Sequence, residues 1–267
     1  MKVLDKVIVV TGAGGGIGRE LVLNLLSKGA SVAAVDISKE ALEITVNQAD
    51  NKSRRLSTHI VNLTERDAVE ALPEQVIDHH GKVDGIINNA GIIHPFLKVN
   101  ELEYDKIKLV MDINFYGTLY MVKTFLPYLL NRPVAHIANV SSMGGFLPVP
   151  GQTIYGASKA AVKLLTEGLQ AELKDTNVKV TVVFPGGVST NIMMNSGLDV
   201  ADNKEISKEQ MSQLLTPKEA AEIIVKGIEN DRIRVLAGKD SKIMDKLYRL
   251  SPRRASNLIA DKMKDLI

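Results

Sequence analysis

A phenol and an ammonium stand four residues apart at Tyr155 and Lys159, within Tyr155-Gly156-Ala157-Ser158-Lys159. On a helix, positions i and i+4 lie one above the other on one face. A free phenol has a pKa of about 10 and is a poor base at neutral pH, but a lysine cation beside it favours the phenolate. Such a pair can exchange a proton with an oxygen of a bound molecule. It can equally be an ordinary amphipathic pair on a helix surface, so its meaning depends on what surrounds it. The small residues Gly156, Ala157, Ser158, Ala160 and Ala161 would let a cofactor or a second subunit come close to this helix.

A second chemical stretch is Thr11-Gly12-Ala13-Gly14-Gly15-Gly16-Ile17-Gly18. Before it runs Val7-Ile8-Val9-Val10, an unbroken β-branched segment of the kind found in parallel strands covered on both faces. After it Leu21, Val22, Leu25 and Leu26 recur at helical spacing until Lys28-Gly29. Strand, glycine turn and helix together form an anion cradle, in which bare backbone approaches a ligand and the first helical amides point at its phosphates. The common GxGxxG spacing does not fit, because it would need glycine at Ile17 or Arg19. TGxxxGxG does fit, through Thr11, Gly12, Gly16 and Gly18.

Asp36 closes the next apolar run, Ser31 to Val35, and lies 18 residues beyond Gly18. A carboxylate there accepts hydrogen bonds from adenosine ribose hydroxyls and repels a 2′-phosphate. Ile37 follows, where an arginine would have favoured NADP, so NAD is the expected cofactor and NADP the less favoured one. The plainer reading of Asp36 is an Asx cap for the next turn.

These residues need a scaffold, and the remaining pattern supplies one. A helix is expected over 39–50 and a strand over 55–61, with Asn62 and Leu63 at its end, then a charged helix over 65–79. His79 and His80 would point about 100° apart on that helix, a poor arrangement for one metal ion. Before Gly81 they suit a helix end, where imidazole favours exposed carbonyls. A fourth strand over 83–87 leads into Asn88-Asn89-Ala90-Gly91, which can hold neighbouring loops and leave room for a cofactor ring. His94 and Phe96 could border a substrate pocket, His94 reading as a loop residue and not as a catalyst.

Helices are expected over 101–113 and 116–131, with Asn114 between them and Pro127 bending the second. A fifth strand over 134–140 ends in Ser141-Ser142-Met143-Gly144-Gly145, and the Tyr155 helix should run to about 174. A sixth strand, 178–184, stops at Pro185-Gly186-Gly187-Val188-Ser189-Thr190. Residues 190–215, including Ile192, Met193 and Met194, form a candidate substrate lid. Thr216-Pro217 starts a helix, 234–237 makes a last short strand, and 240–267 is a helical tail. Strands alternate with helices throughout, without repeats or a composition break. The expected fold is therefore α/β: a single domain over 1–267, with a Rossmann-type doubly wound parallel sheet of about seven strands and helices on both faces.

Composition narrows the function. A net charge of +2 over 267 residues leaves no nucleic-acid footprint. The absence of cysteine removes disulfides, thiol catalysis and Cys-based metal sites, and no metal is expected. The start lacks a secretory pattern and no apolar run is long enough to span a bilayer, so a soluble, cytoplasmic protein is expected. The basic, amphipathic tail reads first as a docked helix pair or a partner subunit's contact, with membrane-surface contact the less favoured reading.

TGxxxGxG at 11–18, NNAG at 88–91, Asn114, Ser142, YxxxK at 155–159 and Pro185-Gly186 together resemble the short-chain dehydrogenase/reductase family, from the first strand to about residue 190. Ser142 precedes Tyr155 by the 13 residues that family uses; Ser141 is one residue off. The resemblance implies that Tyr155 exchanges the proton with the substrate oxygen and that Lys159 lowers its pKa and holds the nicotinamide ribose. Ser142 would orient the carbonyl or alcohol, and Asn114 would help position a water in the proton relay. Cofactor contacts are expected at Gly12, Gly14, Gly15, Gly16, Ile17, Gly18, Asp36, Asn62, Leu63, Asn89, Ala90, Gly91, Tyr155, Lys159, Pro185, Gly186, Val188 and Thr190. Asn62 departs from the family, which commonly has aspartate there for the adenine amino group.

Substrate contacts are expected at His94, Phe96, Ser142, Gly144, Phe146, Gly187, Ile192 and Met193, whose apolar members suggest a hydrophobic secondary alcohol or ketone. The implied assembly is a homodimer or homotetramer built partly through the Tyr155 helix. Two other functions stay open: an NADP-dependent carbonyl reductase, and a non-catalytic NAD(H)-binding sensor or scaffold.

Overall fold

Seven strands form one parallel sheet in the computed structural model, which describes residues 1–190, 192–196 and 214–264. They are β1 (Val7–Thr11), β2 (Ser31–Asp36), β3 (Leu56–Ile60), β4 (Gly85–Asn88), β5 (Ala135–Val140), β6 (Val178–Pro185) and β7 (Arg234–Ala237), in the order 3-2-1-4-5-6-7. The helices are α1 (Gly16–Ser27), α2 (Lys39–Ala49), α3 (Arg66–Glu70), α4 (Leu72–His80), α5 (Tyr104–Met111), α6 (Thr118–Leu130), α7 (Thr153–Glu172), the single turn α8 (Ile192–Asn195), α9 (Pro217–Glu229), α10 (Lys239–Leu250) and α11 (Pro252–Met263).

All five residues of β1 are buried, which explains why its apolar run does not alternate. Ile8 and Val10 pack with Leu21 and Leu25 of α1 and Ile224 and Ile228 of α9. Val7 and Val9 face the other way, onto Val76 of α4, Phe125 and Leu129 of α6 and Leu169 of α7. Successive strand side chains point to opposite faces, so each strand feeds two cores. Pairings of Thr11 with Val35, Asn88 with Asn139 and Val140 with Val183 set the strand ends level. The turns that follow therefore share one carboxyl edge. Strand order reverses between β1 and β4, which opens a crevice there.

Two helical expectations need correction. The region read as helices 101–113 and 116–131 is one continuous helical path. A wide π-type turn, Asp112–Gly117, joins α5 to α6 and carries Asn114. Its flanking residues keep right-handed helical backbone angles, so Asn114 sits in a bulge and not in a loop. The helix expected over 65–79 is split into α3 and α4 at Ala71, because Pro73 has no N–H to continue the ladder.

His80 is also not a cationic helix cap. Its Nε2 lies 2.8 Å from Ser57 Oγ, and burial pulls its pKa down to about 4. Thr216 and Pro217 start α9 as expected, and Thr216 forms a capping box with Glu219.

The tail forms the expected helix pair, α10 and α11, with Ser241 Oγ of α10 donating to Phe184 O of β6 at 2.9 Å. Most of the candidate lid, together with residues 265–267 of the tail, lies outside the described residues. The two ends of the lid meet: Val188 bridges Leu215, Ser189 N–H donates to Leu215 O at 2.9 Å, and Leu215 N–H to Gly187 O at 3.0 Å. Among the described residues no helix is long and apolar enough to cross a membrane.

Candidate active site

The glycine turn after β1 is held from the side by the turn after β4. Thr11 Oγ1 accepts the N–H groups of Asn89 at 3.0 Å and Ala90 at 3.1 Å, and Asn89 Nδ2 donates to Thr11 O at 3.0 Å. Gly12 has φ +65°, and a Cβ there would stand 2.9 Å from Ala90 Cα. The position thus needs glycine for both conformation and space. Asp36 closes the turn from the β2 side: its Oδ2 accepts Gly14 N–H at 2.8 Å and its Oδ1 accepts Ser38 N–H at 3.1 Å. Thr190 approaches from beyond β6, its Cγ2 3.3 Å from the place a Gly16 Cβ would occupy. Arg19 is committed below the turn, to Gly14 O and, at 3.1 Å, to Thr45 Oγ1.

Helix α1 begins at Gly15 with no side-chain cap and no acid in its first turn. Its leading amides therefore lack a protein partner of the kind that usually satisfies a helix start, and Gly12 keeps a Cβ out of the approach. This chain's residues fit a dinucleotide: Gly12 to Gly18 for the pyrophosphate, Asp36 for a ribose and Asn89 to Gly91 for the far ring. Asn62, expected at the adenine, has its Oδ1 occupied by Thr64 N–H at 3.1 Å and Thr64 Oγ1 at 2.9 Å, while its Nδ2 donates to Glu65 at 3.0 Å. Leu63 beside it is buried.

Tyr155 and Lys159 are one turn apart on α7, as their spacing predicts. The helix lies against the 143–145 turn through small residues: a Cβ on Gly156 would meet Gly144 O at 3.1 Å, and one on Gly145 would meet Lys159 O at 2.8 Å. Ser142 reaches the phenol, and its Oγ accepts Gly144 N–H at 3.0 Å. Gly144 borders the ring, with its Cβ position 3.5 Å from Tyr155 Cε1. Lys159 is 4% exposed and donates from Nζ to Val140 O at 3.0 Å. Nζ stands 2.9 Å from the Cβ position of Gly91, and Asn114 Oδ1 stands 3.1 Å from the same point. Tyr155, Ser142, Lys159, Asn114 and Gly91 thus converge beside the β1/β4 crevice.

The electrostatics differ from the expectation. Burial pushes the Tyr155 phenol up and the Ser142 hydrogen bond works against it, but the Lys159 ammonium has no part in the shift. The ammonium is turned toward Val140 O, and burial lowers its own pKa to about 8. Asn114 is fully spent on protein partners. Its Oδ1 accepts Ile92 N–H at 2.8 Å, and its Nδ2 donates to Ile92 O at 3.0 Å and Ser158 Oγ at 2.9 Å.

Several expected substrate residues lie elsewhere or serve structure. Phe146 packs against Phe184 and Tyr248, with ring centroids 5.4 and 6.2 Å away, and not against Tyr155. His94 is buried, its Nδ1 donates to Pro95 O at 2.7 Å, and its carbonyl accepts Gln152 Nε2 at 2.6 Å. It therefore fastens its loop to the start of α7. Phe96 covers Gly151 at the same junction, 3.2 Å from its Cβ position. Gly187 N–H is held by Asp240 at 2.7 Å, and Gly186 N–H donates to Ala237 O at 2.8 Å. Ile192 and Met193 are half-buried in α8, next to Ser196, whose Oγ accepts Ile93 N–H at 3.0 Å.

Sequence reading missed Ser141, Asn139 and Thr166, which hold α7 in place. Ser141 Oγ donates to Lys159 O at 2.7 Å, and Asn88 Nδ2 donates to Asn139 Oδ1 at 2.8 Å. Asn139 Nδ2 in turn donates to Thr166 Oγ1 at 3.0 Å. The signal available was an asparagine within the otherwise apolar strand pattern of 134–140, since a buried amide needs partners.

A doubly wound parallel sheet with a glycine turn at its switch point, and a tyrosine-lysine turn facing it, defines a dinucleotide-binding α/β protein. The chain belongs to the short-chain dehydrogenase family, whose model matches residues 6–201. The oxidoreductase SadH of Mycobacterium tuberculosis is 36% identical over 260 residues, spanning 96% of this chain and 94% of its own. A short-chain dehydrogenase/reductase from Burkholderia phymatum, solved with NAD, superposes with a TM-score of 0.85 at 26% identity, covering 95% of this chain and 96% of that one. A short-chain dehydrogenase from Burkholderia cenocepacia, solved with NADP, gives 0.79 at 25% identity over 97% and 99%. The chain is thus an oxidoreductase of a family whose members hold NAD or NADP.

Proposed function

We propose that this protein transfers a hydride between NAD(H) and an apolar secondary alcohol or its ketone, with Tyr155 as the acid and base. The observation carrying this reading is that one turn of α7 presents Tyr155 to Ser142 and Gly144, and Lys159 to Gly91 at the carboxyl edge of β4. When bound, the nicotinamide supplies the hydride donor or acceptor carbon. The side chains supply the rest. Ser142 donates to the substrate oxygen and fixes its direction. Tyr155 gives its proton to that oxygen in reduction and takes it back in oxidation. Lys159, cationic below about pH 8, would hold the nicotinamide ribose from its place beside Gly91. Asn114, its amide committed to Ile92 and Ser158, fixes the loop at Gly91 and Ile92 beside the Lys159 ammonium. No metal takes part.

NAD is favoured over NADP because the Asp36 carboxylate sits against Gly14 N–H, where it would oppose a 2′-phosphate. The half-buried Ile92, Ile93, Ile192 and Met193 support an apolar substrate. The whole of 1–267 acts as one domain and assembles as a dimer or tetramer through α7, whose Leu164 is 69% exposed.

Tyr155→Phe tests the reading against a panel of secondary alcohols and ketones, with turnover followed by NADH absorbance. We expect turnover to fall by at least about 10³-fold while NADH affinity stays within about threefold, since only the proton step is removed. Turnover preserved in Tyr155→Phe would refute the catalytic assignment, and a wild type inert toward every panel member would favour a sensor.

A further inference from the structure

We propose that the outer face of α10, continued by the start of α11, is a docking surface for an anionic lipid bilayer. The inner face of α10 is committed to the fold. Ser241 bonds to Phe184 O at 2.9 Å, Asp245 pairs with Arg234, Asp240 holds Gly187 N–H, and Tyr248 meets Phe146. What faces outward is of another kind. Lys239, Lys242, Ile243, Lys246, Arg249 and Leu250 are all exposed. At about 100° per residue they fall within roughly 120° of arc on one side of the helix.

Within that arc the residues are sorted. Lys242, Lys246 and Arg249 form a basic stripe, while Ile243 and Leu250 form an apolar edge two turns long beside it. Ile243 is 63% and Leu250 86% exposed, far more than a helix packed against its own fold requires. Arg253 and Arg254 extend the positive charge into α11. Of the acids on the two helices, Asp245 is buried between Arg234 and, at 3.8 Å, the exposed Arg249, and Asp240 is turned to Gly187, which leaves Asp261 as the exposed acid that is not bonded to the fold among the described residues.

The whole chain carries only +2, so this charge is a local feature and not a general basicity. Aliphatic side chains next to a lysine and arginine stripe match the boundary where acyl chains meet anionic phosphates. A nucleic-acid surface would give Ile243 and Leu250 nothing to bury against. The docking does not depend on the redox reading, because it uses no residue of the site.

The test is sedimentation of the full chain with vesicles of phosphatidylcholine alone and with about 30 mol% phosphatidylglycerol, at low and high salt. Each Lys or Arg near an anionic surface is worth roughly fivefold in partitioning. Lys242→Gln, Lys246→Gln and Arg249→Gln together should therefore weaken binding to the anionic vesicles by about a hundredfold. Ile243→Ser with Leu250→Ser should weaken it by at least about tenfold at unchanged charge. All five positions are exposed, so the variants should keep the wild-type circular dichroism and NADH affinity, and the salt dependence of the wild type gives a readout free of any variant.

Equal binding to neutral and anionic vesicles, or binding that survives the triple change, would overturn the proposal. So would duplex DNA binding without vesicle binding, or a wild-type oligomer that dissociates in the Ile243/Leu250 variant, which would mean that a second copy covers the face.

Discussion

Replacing Lys159 by methionine should stabilise the folded protein at neutral pH while abolishing turnover. The lysine is 4% exposed, and burial takes its pKa from 10.5 to about 8. At roughly 1.4 kcal/mol per pKa unit, carrying that cation inside at pH 7 costs about 3 kcal/mol. Methionine keeps the aliphatic stem but leaves Val140 O without the donor now 3.0 Å away, a loss of about 1 kcal/mol. The variant should then be about 2 kcal/mol more stable at pH 7, or roughly 4–8 °C in Tm for a chain of this size.

The sign reverses with pH. The folded state releases the lysine proton at about 8 and the unfolded chain at 10.5, so between these values the unfolded state binds more protons and wild-type stability rises. Above that window both states hold a neutral amine, and the variant should be the less stable by about 1 kcal/mol. Urea unfolding of both proteins from pH 7 to above 10.5 measures the difference directly. A stability difference that stays flat across the window, or a variant already weaker at pH 7, would refute the account of a buried, destabilised cation.

Gly91→Ala would bring a methyl group within 2.9 Å of Lys159 Nζ and 3.1 Å of Asn114 Oδ1, so both must shift by several tenths of an ångström. We expect kcat to fall by about 10²-fold with the fold intact by circular dichroism. Asp36→Ala removes the carboxylate at Gly14 N–H and should move the NADH to NADPH affinity ratio toward NADPH by at least about tenfold in paired titrations. Asp84→Ala deletes the buried acceptor of Val7 N–H at 3.0 Å and Arg132 Nε at 2.8 Å; denaturant unfolding should register a loss of about 3–5 kcal/mol, with cofactor affinity unchanged in the protein that remains folded.

The strands and the glycine turn were legible because their signals are local: an unbroken β-branched run reads as a strand buried on both faces wherever it occurs. The Tyr155 and Lys159 pair was legible for the same reason, since one helical turn fixes their relation. The direction of the Lys159 ammonium was not. It depends on Val140 O and on the space left by Gly91, which lie 19 and 68 residues away in the chain. The π turn at Asn114 was hidden because its one helix-disfavouring residue, Gly117, is of a kind helices tolerate, and nothing else in Asp112–Gly117 marks a departure from ordinary winding. Phe146 looked like a pocket residue from its place after the serine loop, but it joins Phe184 and Tyr248, a contact made across the sheet by the tail.

The meeting of Val188 with Leu215 has an evolutionary consequence. The main chain departs from the sheet's rim and rejoins it at a single gate, so whatever lies between can be lengthened, shortened or exchanged without shifting a strand's register. Descendants of such a protein are free to rewrite that one insert while inheriting the sheet and the glycine turn untouched.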